Sequence, residues 1–131
     1  MVTVGLCLFP GDGDVDGLDV SFSYGDFALF RRRLAIAEDF DLGEMFGFGG
    51  DRPWAEVSTV LEPLLNRPDD HGGSLSPSEC AAILPRLEAV LVEWLSAEFR
   101  DAAFEGHIRD ARDLVAVLHV CVRKNVELCF M

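Results

Sequence analysis

The run LSPSECAAILPRLEAVLVEWL, from Leu75 to Leu95, constrains this chain more than any other stretch. Ser76 followed three residues later by Glu79 makes a reciprocal cap. The serine oxygen accepts from the N–H of Glu79, and the glutamate reaches back to the N–H of Ser76. Pro77 falls at the first helical position, where a missing N–H costs nothing. Leu75 before the cap and Cys80 four positions after it close a hydrophobic staple over the start. Cys80, Leu84, Leu87, Leu91, Trp94 and Leu95 then recur at helical spacing, widened by Ile83 and Val90, while Ser78, Glu79, Arg86, Glu88 and Glu93 fall elsewhere. The spacing predicts a helix with one buried face, bent at Pro85 or with one hydrogen bond loosened there.

The chain before this helix opens with two alternating runs. Val2, Val4, Leu6 and Leu8 alternate with Thr3, Gly5 and Cys7 and stop at Pro10; Leu18, Val20, Phe22 and Tyr24 alternate with Asp19, Ser21 and Ser23. An antiparallel hairpin across PGDGDVDG follows from that period of two. Ser23 and Asp26 mark a helix start, with Phe27, Phe30, Leu34 and Ala37 inward; Arg31, Arg32 and Arg33 lie on the other side but cannot all face one way, since consecutive residues are about 100° apart on a helix. Gly43 and the run GFGGD form a loop. Asp51 and Pro53 then open a helix whose inward residues are Trp54, Val57, Leu61, Leu64 and Leu65, shortened or kinked by Pro63. NRPDDHGGS is a turn.

Beyond Ser96 a ragged helical end stops at Gly106. A last helix carries Ile108, Ala111, Val115, Leu118 and Val122, with Arg123 and Lys124 in its final turn and Asn125 as cap. Val126, Leu128 and Phe130 alternate to the end, a strand too short to stand without the hairpin. The order β-β-α-α-α-α-β predicts one α+β domain over residues 1–131. In it a small antiparallel sheet, the N-terminal hairpin plus the C-terminal strand, packs on about four helices.

Charge narrows the range of partners. The chain carries 11 basic and 23 acidic residues, a net −12, and residues 1–70 hold 14 of the acids against 5 bases. Such a field repels nucleic-acid phosphates and anionic lipid and attracts a basic protein surface or cations. No apolar run approaches the roughly 20 residues of a membrane span. The apolar N-terminus lacks a basic flank and a cleavage site, so it reads as a strand of the mature fold. Cys7, Cys80, Cys121 and Cys129 have no CxxC spacing and lie in apolar segments. Free thiols in a reducing cytoplasm are the expectation, with two bridges in an oxidising compartment as the alternative. Lys124 is the only lysine, a usage expected of a GC-rich bacterial genome.

Few residues carry recognisable chemistry. Asp12, Asp14, Asp16 and Gly17 reproduce the opening of a calcium loop, but Ser23 stands where a bidentate glutamate belongs and the flanks read as strands. An acidic hairpin turn is expected, with a calcium-responsive module as the alternative. Asp69, Asp70 and His71 read as a solvated turn rather than a cation site. His71, His107 and His119 have no family signature pairing them with a cysteine, so no catalytic residue is assigned, and neither an enzyme nor a cofactor is expected. GFGG is not a dinucleotide fingerprint. Phe46, Phe48 and Trp54 beside Asp51 and Arg52 are either interface anchors or a plug folded over the core.

The segments GFGGDRPW (47–54) and LLNRPDDHGGSLSPSECAAILPRLE (64–88) resemble a pattern in small acidic bacterial proteins that have no assigned activity. In that pattern a Gly-rich loop precedes Trp, then come Leu-Leu, an acidic turn, and Ser/Thr-Pro-x-x-Cys opening a helix. Size, acidity and the order of strands then helices are also similar to immunity proteins, which neutralise partner toxins in bacterial competition. Together with the charge and the thiols, that resemblance leads to the expectation of a cytoplasmic binding protein that blocks a basic protein partner with its acidic N-terminal region and aromatic glycine loop; it carries over no binding residue. From the residues themselves, the docking surface is expected at Phe46, Phe48, Asp51, Arg52, Trp54, Asp69 and Asp70, with neither nucleic acid nor membrane as partner. A homodimer is compatible with the composition.

Overall fold

The computed structural model describes residues 5–14, 16–23, 25–67 and 72–131. The strands are β1 (Gly5–Pro10), β2 (Val20–Ser23), β3 (Ser74–Leu75) and β4 (Leu128–Phe130), forming one antiparallel sheet in the order β2-β1-β4-β3. Register follows the alternation: Leu6 faces Phe22, Leu8 faces Val20 on one side and Phe130 on the other, and Leu75 faces Leu128. These seven side chains share one face and are buried. Cys7, Ser21, Ser74 and Cys129 lie on the opposite face, exposed or half-buried. The fold is α+β, as expected, and the C-terminal strand is not an edge but sits between β1 and β3. The pair Ser74–Leu75 is too short to show a period, so β3 had no sequence signal. Leu18 leaves the alternation at 54% exposure, because β2 begins only at Val20. Val2, Val4 and Tyr24 lie outside the described residues.

The helices are α1 (Asp26–Ala37), α2 (Glu62–Leu65), α3 (Pro77–Leu95) and α4 (Ala102–Lys124). At the start of α3 both halves of the cap are made: Glu79 N–H donates to Ser76 Oγ at 3.1 Å, and Ser76 N–H to Glu79 Oε1 at 2.9 Å. Cys80, Ile83, Leu84, Leu87, Val90 and Trp94 are buried along it, while Leu95, in its last turn, is exposed. α4 begins at Asp101, whose carboxylate accepts from Phe104 N–H at 2.8 Å, so Gly106 lies inside the helix rather than ending one. A good N-cap offsets the roughly 1 kcal/mol that an internal glycine costs. At the far end Asn125 adopts the left-handed cap, φ 55°.

Two expectations for the middle of the chain are corrected. No continuous helix runs from Pro53: Trp54–Glu56 is a single 3-10 turn, Val57 is extended, and α2 spans only Glu62–Leu65. Pro63 is tolerated only in a first turn, and the β-branched residues Val57, Thr59 and Val60 weaken the stretch before it. Asp51 caps nothing here; Pro53 precedes the 3-10 turn, with no side-chain cap bond. On α1, Arg31 is not on the outer side with Arg32 but buried beside Phe27, Phe30 and Leu34.

Candidate functional site

The stretch between α1 and α2 is clamped at its base. Glu38, just past α1, accepts from Thr59 Oγ1 at 2.8 Å and pairs with Arg86 of α3 at 2.7 Å, while Arg86 also donates to Ala37 O at 3.4 Å. The carboxylate beside Arg86 holds that guanidinium's pKa above its usual value. Asp41 then caps a short 3-10 turn over Leu42–Glu44 by accepting from Gly43 N–H at 2.9 Å. Leu42 and Met45 are buried and anchor the loop to the core.

From Met45 the chain folds back on itself. Phe46 N–H donates to Arg52 O at 2.9 Å, Arg52 N–H to Glu44 O at 3.0 Å, and Phe48 N–H to Met45 O at 3.0 Å. The glycines make this reversal possible. Gly47 and Gly49 take φ 92° and 104°, and a Cβ on Gly50 would stand 2.1 Å from Glu44 O.

This geometry divides the three aromatics. Trp54 donates its Nε1–H to Phe46 O at 3.0 Å and meets Phe40 and Phe48 edge-on, both at 5.9 Å between centroids. Phe48 and Trp54 are half-buried against the core. Phe46 turns the other way, and 70% of it is exposed. Phe48 and Trp54 therefore fold back over the core as a plug, while Phe46 stands exposed on the same loop. Around it Asp39, Asp41, Glu44, Asp51 and Glu56 are exposed, and the only cation between residues 38 and 56, Arg52, pairs with Glu56 at 3.4 Å. Asp69, Asp70 and His71 lie outside the described residues.

Arg31 supports the loop from beneath. Its guanidinium lies 4.5 Å from the Phe27 ring centroid and 5.4 Å from that of Phe48. It donates to Leu65 O at 3.4 Å, the last carbonyl of α2, and to Arg67 O at 2.7 Å, two residues beyond it. Sequence reasoning missed this role, although residues 27, 31 and 34 share helical spacing and that was the available signal.

Asp12, Asp14 and Asp16 bond to one another and, through Asp12, to α4. Asp12 Oδ1 accepts from Asp14 N–H and Asp14 Oδ1 from Asp16 N–H, both at 3.0 Å; Lys124 Nζ donates to Asp12 Oδ2 at 2.8 Å. That lysine, with the Asp14 N–H, holds the Asp12 carboxyl below the usual carboxylate range. Both Asp12 oxygens thus have partners from the chain itself. Among the described residues no three Asp, Glu, His or Cys side chains converge as a metal would require.

No described histidine hydrogen-bonds a thiol. His107 Nδ1 accepts from Arg33 Nε at 2.7 Å, and His119 stands 3.4 Å from Glu88. A cavity of about 280 Å³ lies beside Cys7, Phe9, Leu18 and Asp19. Burial raises the Cys7 pKa there, the opposite of what a nucleophile needs.

The chain matches no family model, curated protein or solved structure. Among the described residues no helix is long and apolar enough to cross a membrane.

Proposed function

We propose that this chain is an acidic binding protein of the immunity type, acting in the cytoplasm, which neutralises a basic protein by docking it on the loop between Asp41 and Glu56. The observation that carries this reading is Phe46: a large aromatic ring, 70% exposed, on a loop held by main-chain bonds and ringed by acidic side chains. An anchor on a pre-ordered loop buries large apolar area at little further entropic cost. The surrounding carboxylates accelerate encounter with a cationic surface and reject acidic ones.

The test is a pull-down from the cells of origin at low and high salt, followed by binding kinetics with the captured protein. A basic partner is expected, bound less tightly as salt rises. Phe46→Ala should raise its dissociation rate by tenfold or more, a hot-spot loss of about 2 kcal/mol. Replacing Glu44 and Asp51 by their amides should mainly slow association. If Phe46→Ala captures the same proteins with unchanged kinetics, this docking surface is wrong. A gene for a basic toxin beside the gene for this chain would be independent support.

A further inference from the structure

One pair of reactive side chains has no part in the docking surface. Cys80 lies in the first turn of α3 and Cys121 in the last turn of α4. The two helices form an antiparallel hairpin, so these turns meet at one end of it, against the β3–β4 pair. Both residues are 0% exposed. Cys121 Sγ donates to Glu127 O at 3.7 Å, and Cys80 Sγ to Leu75 O at 3.9 Å. The Glu127 carbonyl belongs to the same peptide unit as the N–H of Leu128, the β4 partner of Leu75. The two thiols therefore sit on neighbouring peptide groups of one strand pair; the nearby Cys80 sulfur and burial push the Cys121 pKa up.

Cys7 and Cys129 are differently placed. On the outer face of the sheet Cys7 faces Met131 and Cys129 faces Phe9. They are diagonal neighbours, about 7–8 Å apart, beyond the roughly 4.4–6.8 Å between Cα atoms that a disulfide spans.

We propose that Cys80 and Cys121 form a reversible disulfide clip joining the start of α3 to the end of α4, closed by a small-molecule disulfide such as oxidised glutathione. In the first step the Cys80 thiolate attacks one sulfur of the oxidant, breaking its S–S bond; the glutathione thiolate released takes up a proton. Cys121 then gives up its proton and attacks the Cys80 sulfur of the mixed disulfide, releasing the second glutathione. Two protein thiols are oxidised and one glutathione disulfide is reduced to two thiols. Because both sulfurs are buried, exchange proceeds through local opening, on a scale of minutes to hours. The bond closes the loop from residue 80 to residue 121, restricts the unfolded chain, and raises Tm on the order of 10 °C.

The test uses the full chain with Cys7→Ala and Cys129→Ala, substitutions at two half-buried positions on the outer face, incubated with oxidised glutathione. Expected are the loss of both remaining thiols, a Cys80–Cys121 cross-linked peptide, a higher Tm, and reversal of all three by dithiothreitol. In the parent chain the same cross-link should form, and Cys80→Ala should abolish the rise in Tm. The clip is overturned if the double variant keeps both thiols or stops at a glutathione adduct. It is equally overturned if the bond forms without raising Tm, or if the parent chain links Cys7 to Cys129 instead.

Discussion

Replacing Gly50 by alanine tests whether the aromatic loop is held as rigidly as its bonds imply. The new Cβ would lie 2.1 Å from Glu44 O, 2.3 Å from Glu44 C and 2.6 Å from Glu44 Cα, all backbone atoms with no side chain to swing aside. Reaching even 3.0 Å requires the two strands of the loop to part by about 1 Å. Three bonds span that gap: Gly50 N to Met45 O at 3.3 Å, Arg52 N to Glu44 O at 3.0 Å and Phe46 N to Arg52 O at 2.9 Å. At about 1 kcal/mol net for each, the substitution costs roughly 3 kcal/mol.

An unfolding entropy of about 2.1 cal/mol/K per residue over this chain puts the fall in Tm near 10 °C if the loop melts with the core, and smaller if it detaches alone. Urea unfolding separates the cases when Trp54 is the sole indole, in a Trp94→Phe background. Detachment shifts Trp54 emission before the global transition, because its contacts to Phe40, Phe48 and Phe46 O are lost. Gly13→Ala is the control: nothing lies within 4 Å of its added Cβ, and only its φ of 78° counts against it, at about 1–2 kcal/mol. If Gly50→Ala is within about 0.5 kcal/mol of the parent with unchanged Trp54 emission, the loop is not the fixed platform described above.

Three further outcomes follow from particular contacts. Arg31→Met keeps the apolar stem but loses charge-assisted bonds to Arg67 O and Leu65 O. It should cost about 2–4 kcal/mol by denaturant titration, and an unchanged midpoint would show that the buried guanidinium is no tie. Ser76→Ala removes the oxygen that accepts from Glu79 N–H and should lower stability by about 1 kcal/mol, or roughly 4 °C in Tm, whereas a neutral result would mean α3 does not depend on its cap. His107 has its pKa depressed, by burial first and then by Arg33. The folded state therefore resists a proton that the unfolded chain accepts, and stability should fall as pH drops below about 6.5 toward the folded pKa. Asp110, raised by burial, has the opposite sign at lower pH. The difference between parent and His107→Gln, measured as Tm against pH, isolates the histidine, and parallel curves would remove it as the cause.

Much of the scaffold was legible because the signals are local. Ser76, Pro77 and Glu79 specify a helix start from within four residues, and α3 begins where they say. Leu6, Leu8, Val20 and Phe22 declare their face by alternation alone. At the candidate site the dense glycines announced a loop and the aromatics their importance, but not which ring would stand out. Phe46 and Phe48 are two residues apart with the same chemistry. Their separation depends on Gly47 and Gly49 turning through positive φ and on Trp54 donating to Phe46 O.

Short-range chemistry along the chain, caps, periods and turn formers, was enough to determine the α+β class, the hairpin and the two long helices. Tertiary structure alone decided what depends on partners distant in sequence. It buried Arg31 under carbonyls more than 30 residues away, tied Lys124 to Asp12 across 112 positions, and set Cys80 and Cys121 on the same strand pair. A guanidinium, an ammonium or a thiol has the same composition wherever it falls. Whether it is solvated, paired or reactive is set by the neighbours that only the closed fold supplies.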